Sequence, residues 1–246
     1  MVPVATFAPL RDPPVLFAHR GGCAHRPENT LEAFSNAVAM GATGIESDVW
    51  LTADRVPVLT HDGVIRRGLR RVPINRLRRR ELPSEIPSLE DLYRTCGTEV
   101  EVSLDVKDPD AVEAVLDTVR SAGPDAEGRL WLCHGDVQVL GSWRELTQEA
   151  KLVNSTRLRR IDEGVERRAA DLARLGIDAI NMHATDWTAG TVVLFHRFRR
   201  LALAWDAQLD RVIEEMLRAG VDAVYGDHVD RLTGALLRVR GQSRPI

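Results

Sequence analysis

Lysine is nearly missing from this chain: of its 33 basic residues only Lys107 and Lys151 are lysines, and the rest are arginines. Arginine is therefore the default surface cation, and a single arginine carries little information, whereas each lysine is a choice. Cysteine is scarce as well. Cys23, Cys96 and Cys133 are odd in number and have no Cys-x-x-Cys spacing, which argues against a disulfide framework and a structural zinc site. No run of about 18 apolar residues occurs, so neither a spanning helix nor a stable membrane anchor is expected. Residues 1–16 hold early prolines, no basic stretch and no long apolar run. No signal peptide is expected there, and the expected location is a reduced cytoplasm. The net charge of −3 argues against a nucleic-acid binder held by bulk positive charge.

What remains is ordinary for a folded protein: 246 residues, 44% hydrophobic and 28% charged, with 12 prolines and 18 glycines. Short β-like runs at 15–18, 43–51, 56–60, 100–106, 130–133, 152–155, 179–182, 201–205 and 223–225 alternate with amphipathic helical stretches. Asn29 with Glu32 has capping-box spacing, which predicts a helix carrying Leu31, Phe34 and Val38 and ending near Gly41. Asp108-Pro109 places an N-cap before a proline, and that helix stops at Gly123-Pro124. Gly41, Gly176 and Gly220 each stand two or three residues ahead of a strand, which predicts one αβ turn used three times. About eight strands alternating with helices predict one α/β domain, a (β/α)8 TIM barrel with a core over about 15–235. The absence of Gly-x-Gly-x-x-Gly after the first strand lowers the dinucleotide-binding alternative. An insertion over about 62–87 follows the third strand region. It has no clear strand and holds eight arginines between Arg66 and Arg80. It reads as a solvated helix or loop ahead of a phosphate-recruiting patch.

Polar residues gather where the first strand regions end, the end that carries the active site in such a barrel. His19-Arg20-Gly21-Gly22 follows the first strand, Glu46-Ser47-Asp48 lies in the second, His61-Asp62 closes the third, and Asp105-Val106-Lys107 ends the strand after the insertion. Residues i and i+2 of a strand share a face, so Glu46 pairs with Asp48 and Asp105 with Lys107. Three carboxylates in one mouth repel unless a cation neutralises them, and oxygen ligands suit Mg²⁺ or Ca²⁺. His19 and His61 are the natural proton-transfer pair. Of the other histidines, His134 and His183 also end strands and are candidates for the same mouth. His25 reads as incidental in the first loop, and His196 and His228 as surface residues.

These residues carry a resemblance. His19-Arg20-Gly21-Gly22, Pro27-Glu28-Asn29-Thr30, Glu46-Ser47-Asp48-Val49, Thr52-Ala53-Asp54 and Val56-Pro57-Val58-Leu59-Thr60-His61-Asp62 resemble the glycerophosphodiester phosphodiesterase family. Ile86-Pro87-Ser88-Leu89-Glu90, Leu104-Asp105-Val106-Lys107, Ala204-Trp205, Ala219-Gly220-Val221-Asp222-Ala223 and Gly226-Asp227 continue the likeness in order, so that it spans roughly residues 15–235. The stretch 125–200 is similar only as a barrel pattern.

The resemblance implies a (β/α)8 barrel with an insertion after the His-Asp motif. It also implies metal-dependent hydrolysis of small-molecule glycerophosphodiesters to sn-glycerol 3-phosphate and an alcohol. By position His19 and His61 match the family's acid/base histidines, one taking a proton from water or the glycerol 2-hydroxyl and the other protonating the leaving oxygen, in either order. Glu46 and Asp48 match two metal ligands, and Asp105 stands where the family usually has a glutamate. Arg20 and Lys107 are expected to add charge around the phosphate. Trp205 is expected either to pack on the glycerol carbons or to belong to the core. Trp205-Asp206-Ala207-Gln208 departs from the family's usual Trp-Thr-Val-Asn. Two alternatives accompany this reading: a phospholipase D-type activity on lysophospholipids, and a barrel that binds a phosphodiester without cleaving it.

Overall fold

The computed structural model describes residues 7–68 and 70–242. Eight parallel strands close on themselves: β1 (Val15–Ala18), β2 (Gly44–Leu51), β6 (Glu101–Val106), β7 (Leu130–His134), β8 (Lys151–Thr156), β9 (Ala179–His183), β10 (Leu201–Trp205) and β11 (Ala223–Gly226). Each pairs with the next in that order, and β11 returns to β1 through Val15↔Ala223 and Ala18↔Gly226. This is the (β/α)8 barrel that the alternating pattern predicts. The helices α1 (Leu31–Ala39), α2 (Leu89–Cys96), α3 (Val112–Ala122), α4 (Val137–Trp143), α5 (Val165–Arg174), α6 (Ala189–Arg197), α7 (Asp210–Ala219) and α8 (Val229–Gln242) separate the strands. No helix among the described residues is long and apolar enough to cross a membrane.

Strand alternation sorts the apolar side chains into two cores. Leu16, Ile45, Leu104, Leu132 and Val224 point outward and are covered by the helices. Val15, Phe17, Trp131, Cys133, Val153, Leu203 and Tyr225 point inward. Phe17 stacks on Tyr225 at 4.5 Å and meets Trp131 edge-on at 5.7 Å, so aromatic rings plug the barrel. On β6 one inward column runs from Glu101, which accepts from Trp131 Nε1 at 2.5 Å, through Ser103 to Asp105 at the mouth. The repeated αβ turn holds: Gly41, Gly176 and Gly220 have φ of 93°, 68° and 87°, which L side chains seldom tolerate.

Several local readings need correction. Strand β3 (Pro57–Leu59) is antiparallel to β2, with Val49↔Leu59 and Leu51↔Pro57, so it is a return strand beside the barrel. The insertion does contain strands, because β4 (Val64–Arg67) and β5 (Arg70–Pro73) form a hairpin. Alternation failed to reveal it because its apolar residues sit at the base, where Ile65 and Val72 pack on Val58, Ile74, Leu77 and Leu82. The N-cap of α1 is Thr30, whose Oγ1 accepts from Ala33 N at 3.1 Å, and not Asn29. Asn29 has φ 55° and instead accepts a 2.6 Å hydrogen bond from Ser47 Oγ, tying the first loop to β2. His196 is not a surface residue: only 11% of its side chain is exposed, and Nε2 donates at 2.8 Å to the fully buried Asp222.

Candidate active site

A cavity of about 340 Å³ opens at the C-terminal ends of the strands. His19, Arg20, Glu46, Asp105 and Trp205 line it together with Ser103, Cys133, Ser155, Asn181, Asp206, Gln208 and Tyr225. Its floor is Tyr225, whose hydroxyl lies 3.1 Å from Ser103 Oγ.

The chain leaves β1 through a tight turn that shapes one wall. Arg20 takes φ 49°, a left-handed conformation costing roughly 1–2 kcal/mol for a side-chain-bearing residue. The turn aims Arg20 N–H at Glu46 Oε2, 2.9 Å away, so the strained residue satisfies a buried carboxylate. Gly21 follows with φ 82°, and a Cβ there would stand 2.8 Å from the Phe34 ring, so α1 packs directly on this backbone. Arg20 also reaches Glu28 at 2.8 Å and Asp48 at 3.6 Å.

The charges are strongly coupled. Burial raises Glu46 to about 7, against the lowering effect of His19. Burial works against a charged His19, but the hydrogen bonds of Asp227 and Cys23 and the charges of Glu46 and Asp227 raise it to about 11. His19 Nδ1 donates to Asp227 Oδ1 at 2.6 Å, and Nε2 faces Glu46 at 3.8 Å. That hydrogen bond in turn holds Asp227 down at about 2. Lys107 lies between two carboxylates, 3.1 Å from Asp48 and 2.5 Å from Asp105. Its burial lowers the ammonium pKa, yet the Asp105 charge and hydrogen bond outweigh that and raise it.

Among the residues expected from sequence, His19, Arg20, Glu46, Asp105 and Trp205 meet at the cavity, while Asp48 and Lys107 are joined to it by ion pairs with Arg20 and Asp105. His61 does not line it. It stands on the rim, 45% exposed and 3.1 Å from Asp62, delivered there by β3 as Thr60 N bonds Asp48 O at 3.0 Å. His134 and His183 do not line the cavity either: Asp136 N donates to His134 Nδ1, and His183 is 2.9 Å from Asp206 and edge-on to Trp205 at 4.6 Å. Trp205 carries Arg157 over its ring at 5.5 Å. Among the described residues, the groups of three whose ligand atoms all come within 4.8 Å of one another are His19, Cys23 and Asp227, and His25, His228 and Asp230; Glu46, Asp48 and Asp105, the ligand set expected from sequence, do not converge to that distance.

Sequence reasoning gave no role to Asp227, Asp206 or Gln208. The signal for Asp227 was its place directly after the last barrel strand, the same position that singled out His19. Gln208 and Asp206 occupy the departure from the usual Trp-Thr-Val-Asn. Gln208 accepts from Asp227 N at 3.0 Å and donates to Asp206 at 3.2 Å, so the departure forms its own polar wall.

A closed barrel with carboxylates, an imidazole and cations at its mouth defines a class of site suited to anionic ester chemistry. The model of the glycerophosphoryl diester phosphodiesterase family matches residues 19–231, and the chain belongs to that family. Mouse glycerophosphodiester phosphodiesterase 1 (Mus musculus) is 32% identical over 158 residues, covering 56% of this chain and 48% of the relative. The chain thus spans about half the length of that relative. An Oleispira antarctica phosphodiesterase, solved in complex with the product sn-glycerol-3-phosphate, superposes with a TM-score of 0.78 at 21% identity, covering 91% of this chain and 96% of that one. Thermotoga maritima glycerophosphodiester phosphodiesterase gives 0.77 at 20% identity, covering 89% and 97%. These two likenesses establish the fold.

Proposed function

We propose that the chain hydrolyses glycerophosphodiesters to sn-glycerol 3-phosphate and an alcohol. The observation that carries this reading is the meeting of His19, Arg20, Glu46, Asp105 and Trp205 on one small cavity of a barrel of this family. At about 340 Å³ it is at the small end of ligand pockets, the size for a glycerophosphoryl group. The product held by the Oleispira antarctica relative is of the same kind.

The donor chemistry of Glu46, Asp48 and Asp105 suits a hard divalent cation, Mg²⁺ or Ca²⁺, although their oxygens do not all converge within 4.8 Å and the Lys107 ammonium lies between Asp48 and Asp105. All three offer oxygen, Glu46 and Asp48 are buried, and Asp48 Oδ2 has no hydrogen-bond partner among the described residues. Bound there, such an ion supplies Lewis-acid polarisation of a phosphoryl oxygen and offsets the diester's charge. Arg20 and Lys107 add donors around the same oxygens. His19, kept charged by Asp227, donates its proton to the departing alcohol oxygen. His61 on the rim accepts the proton of the nucleophile, water or the glycerol 2-hydroxyl. Trp205 offers an apolar face to the glycerol carbons.

The test is release of glycerol 3-phosphate from glycerophosphocholine, glycerophosphoethanolamine and a lysophospholipid, with and without EDTA. Hydrolysis of the first two that stops in EDTA is expected. Tight binding without any product would favour the non-catalytic barrel.

A further inference from the structure

We propose that the arginine hairpin of the insertion docks the protein on an anionic phospholipid bilayer. The register of β4 and β5 places Arg66 opposite Arg71 and Arg67 opposite Arg70. Successive strand residues point to opposite faces, so each face of the hairpin end carries one pair of like charges. Such pairs destabilise an antiparallel ribbon, and a nearby polyanion relieves them.

Neighbouring carboxylates do not supply that relief. Of the eight arginines from Arg66 to Arg80, only Arg67 and Arg79 have a carboxylate within ion-pair reach of the guanidinium among the described residues, Glu81 and Asp91, each at 3.8 Å. Most described arginines elsewhere are matched more closely: Arg120, Arg144, Arg157, Arg168 and Arg218 hold carboxylates at 2.6–2.8 Å. Among the described residues Arg159, Arg160, Arg167, Arg197 and Arg199 also pair with no carboxylate, but they stand in ones and twos, whereas six unpaired arginines fall within residues 66–80. The ribbon is also firmly based, since Ile65 and Val72 pack on the small core of Val58, Ile74, Leu77 and Leu82. Ala53, just beyond β2, bonds Leu77 O at 2.9 Å, which places the insertion at the barrel end that carries the cavity.

Apolar residues on the same end choose between polyanions. Leu158, beyond β8, is 40% exposed, and Leu209, beyond β10, is 57% exposed. A bilayer interface accepts both arginines and leucines, whereas a nucleic-acid backbone uses the cations alone. The chain's net charge of −3 supplies no general attraction to an anionic surface, so any attraction has to come from a local basic patch.

The proposal is independent of the cavity's chemistry and is tested without it. The whole protein would be co-sedimented with vesicles of phosphatidylcholine alone and of phosphatidylcholine mixed with phosphatidylglycerol. Binding is expected only to the anionic vesicles and to fade as salt shortens the screening length from about 8 Å at 0.15 M to about 3 Å at 1 M. A basic side chain beside an anionic surface contributes on the order of fivefold in affinity. The quadruple variant Arg66→Gln, Arg67→Gln, Arg70→Gln, Arg71→Gln should therefore lose at least about tenfold. Thermal unfolding would check that it stays folded, and the single variant Arg70→Gln gives a smaller loss in the same direction. Leu158→Ser with Leu209→Ser should also weaken vesicle binding. No binding to anionic vesicles at low salt, or equal binding by the quadruple variant, overturns the proposal. So does binding to duplex DNA or RNA in preference to vesicles.

Discussion

His19 Nδ1 donates across 2.6 Å to Asp227 Oδ1, joining the residue after the first barrel strand to the residue after the last. They are 208 positions apart and meet because β11 closes the barrel onto β1. The pair fixes the ring and its proton, with His19 raised to about 11 and Asp227 lowered to about 2.

Asp227→Asn keeps the shape and removes the charge, so His19 should titrate nearer its usual 6.5, followed by the NMR shift of its Cε1 proton. The stability effect has a definite sign. His19 is raised on folding, so its contribution is complete below about 6.5 and is lost as pH rises through about 11. Asp227 is lowered, so its contribution is present above 3.8 and lost as pH falls through about 2. The melting-temperature gap between parent and variant should be widest between 3.8 and 6.5 and narrow on both sides. A gap constant with pH would mean that Asp227 acts through packing alone.

Loss of either proton carrier should be large and distinguishable. His19→Ala and His61→Ala are each expected to lower kcat by about 10²–10⁴-fold. A p-nitrophenyl ester needs little help in departure, so it should rescue His19→Ala and leave His61→Ala impaired. The reverse pattern would exchange the two roles, and equal impairment with both substrates would remove the paired roles altogether.

Asp222 tests the barrel's other end. It is fully buried and accepts from Arg11 N at 2.8 Å, Ala202 N at 2.7 Å and His196 Nε2 at 2.8 Å. Asp222→Ala strands those donors, and leaving a buried donor unsatisfied costs about 1–3 kcal/mol. Urea unfolding should show that loss, with a smaller one for Asp222→Asn.

The same residues show what sequence could and could not reveal. Period-two strands, αβ-turn glycines and the polar residues after strand ends are local signals, so the barrel and most of its mouth could be read directly. His196 could not, because its helix position suits the surface and only the fold brings Asp222 beneath it. Asp227 had a position but no partner until the barrel closed. The hairpin end escaped because Arg66, Arg67, Arg70 and Arg71 occupy both faces and leave no alternation to detect. His61 was placed at the mouth for the wrong reason: β3 brings it there from above, and it is not the end of a barrel strand.

Asp105 decides how a cation would be held. Its carboxylate is 2.5 Å from Lys107 Nζ, and Lys107 is also 3.1 Å from Asp48, so the ammonium already neutralises the two carboxylates that a metal would share. A metal must therefore either displace that ammonium or bind beside it. Aspartate is one methylene shorter than glutamate, about 1.5 Å of reach, which leaves room for a water between Asp105 and the ion. Calcium accepts loose coordination, whereas magnesium demands near-ideal octahedral distances. Asp105→Asn is expected to weaken both metals. Asp105→Glu should retain substantial activity and shift preference toward magnesium, since the longer arm reaches the ion directly. Lys107→Met, by removing the competing ammonium, should raise metal affinity while lowering kcat through the lost phosphate contact. Calorimetric titration of each metal into the four proteins, beside glycerol 3-phosphate release, separates these effects. If Asp105→Asn equals the parent in both affinity and rate, Asp105 serves only to hold Lys107, and the third ligand lies elsewhere.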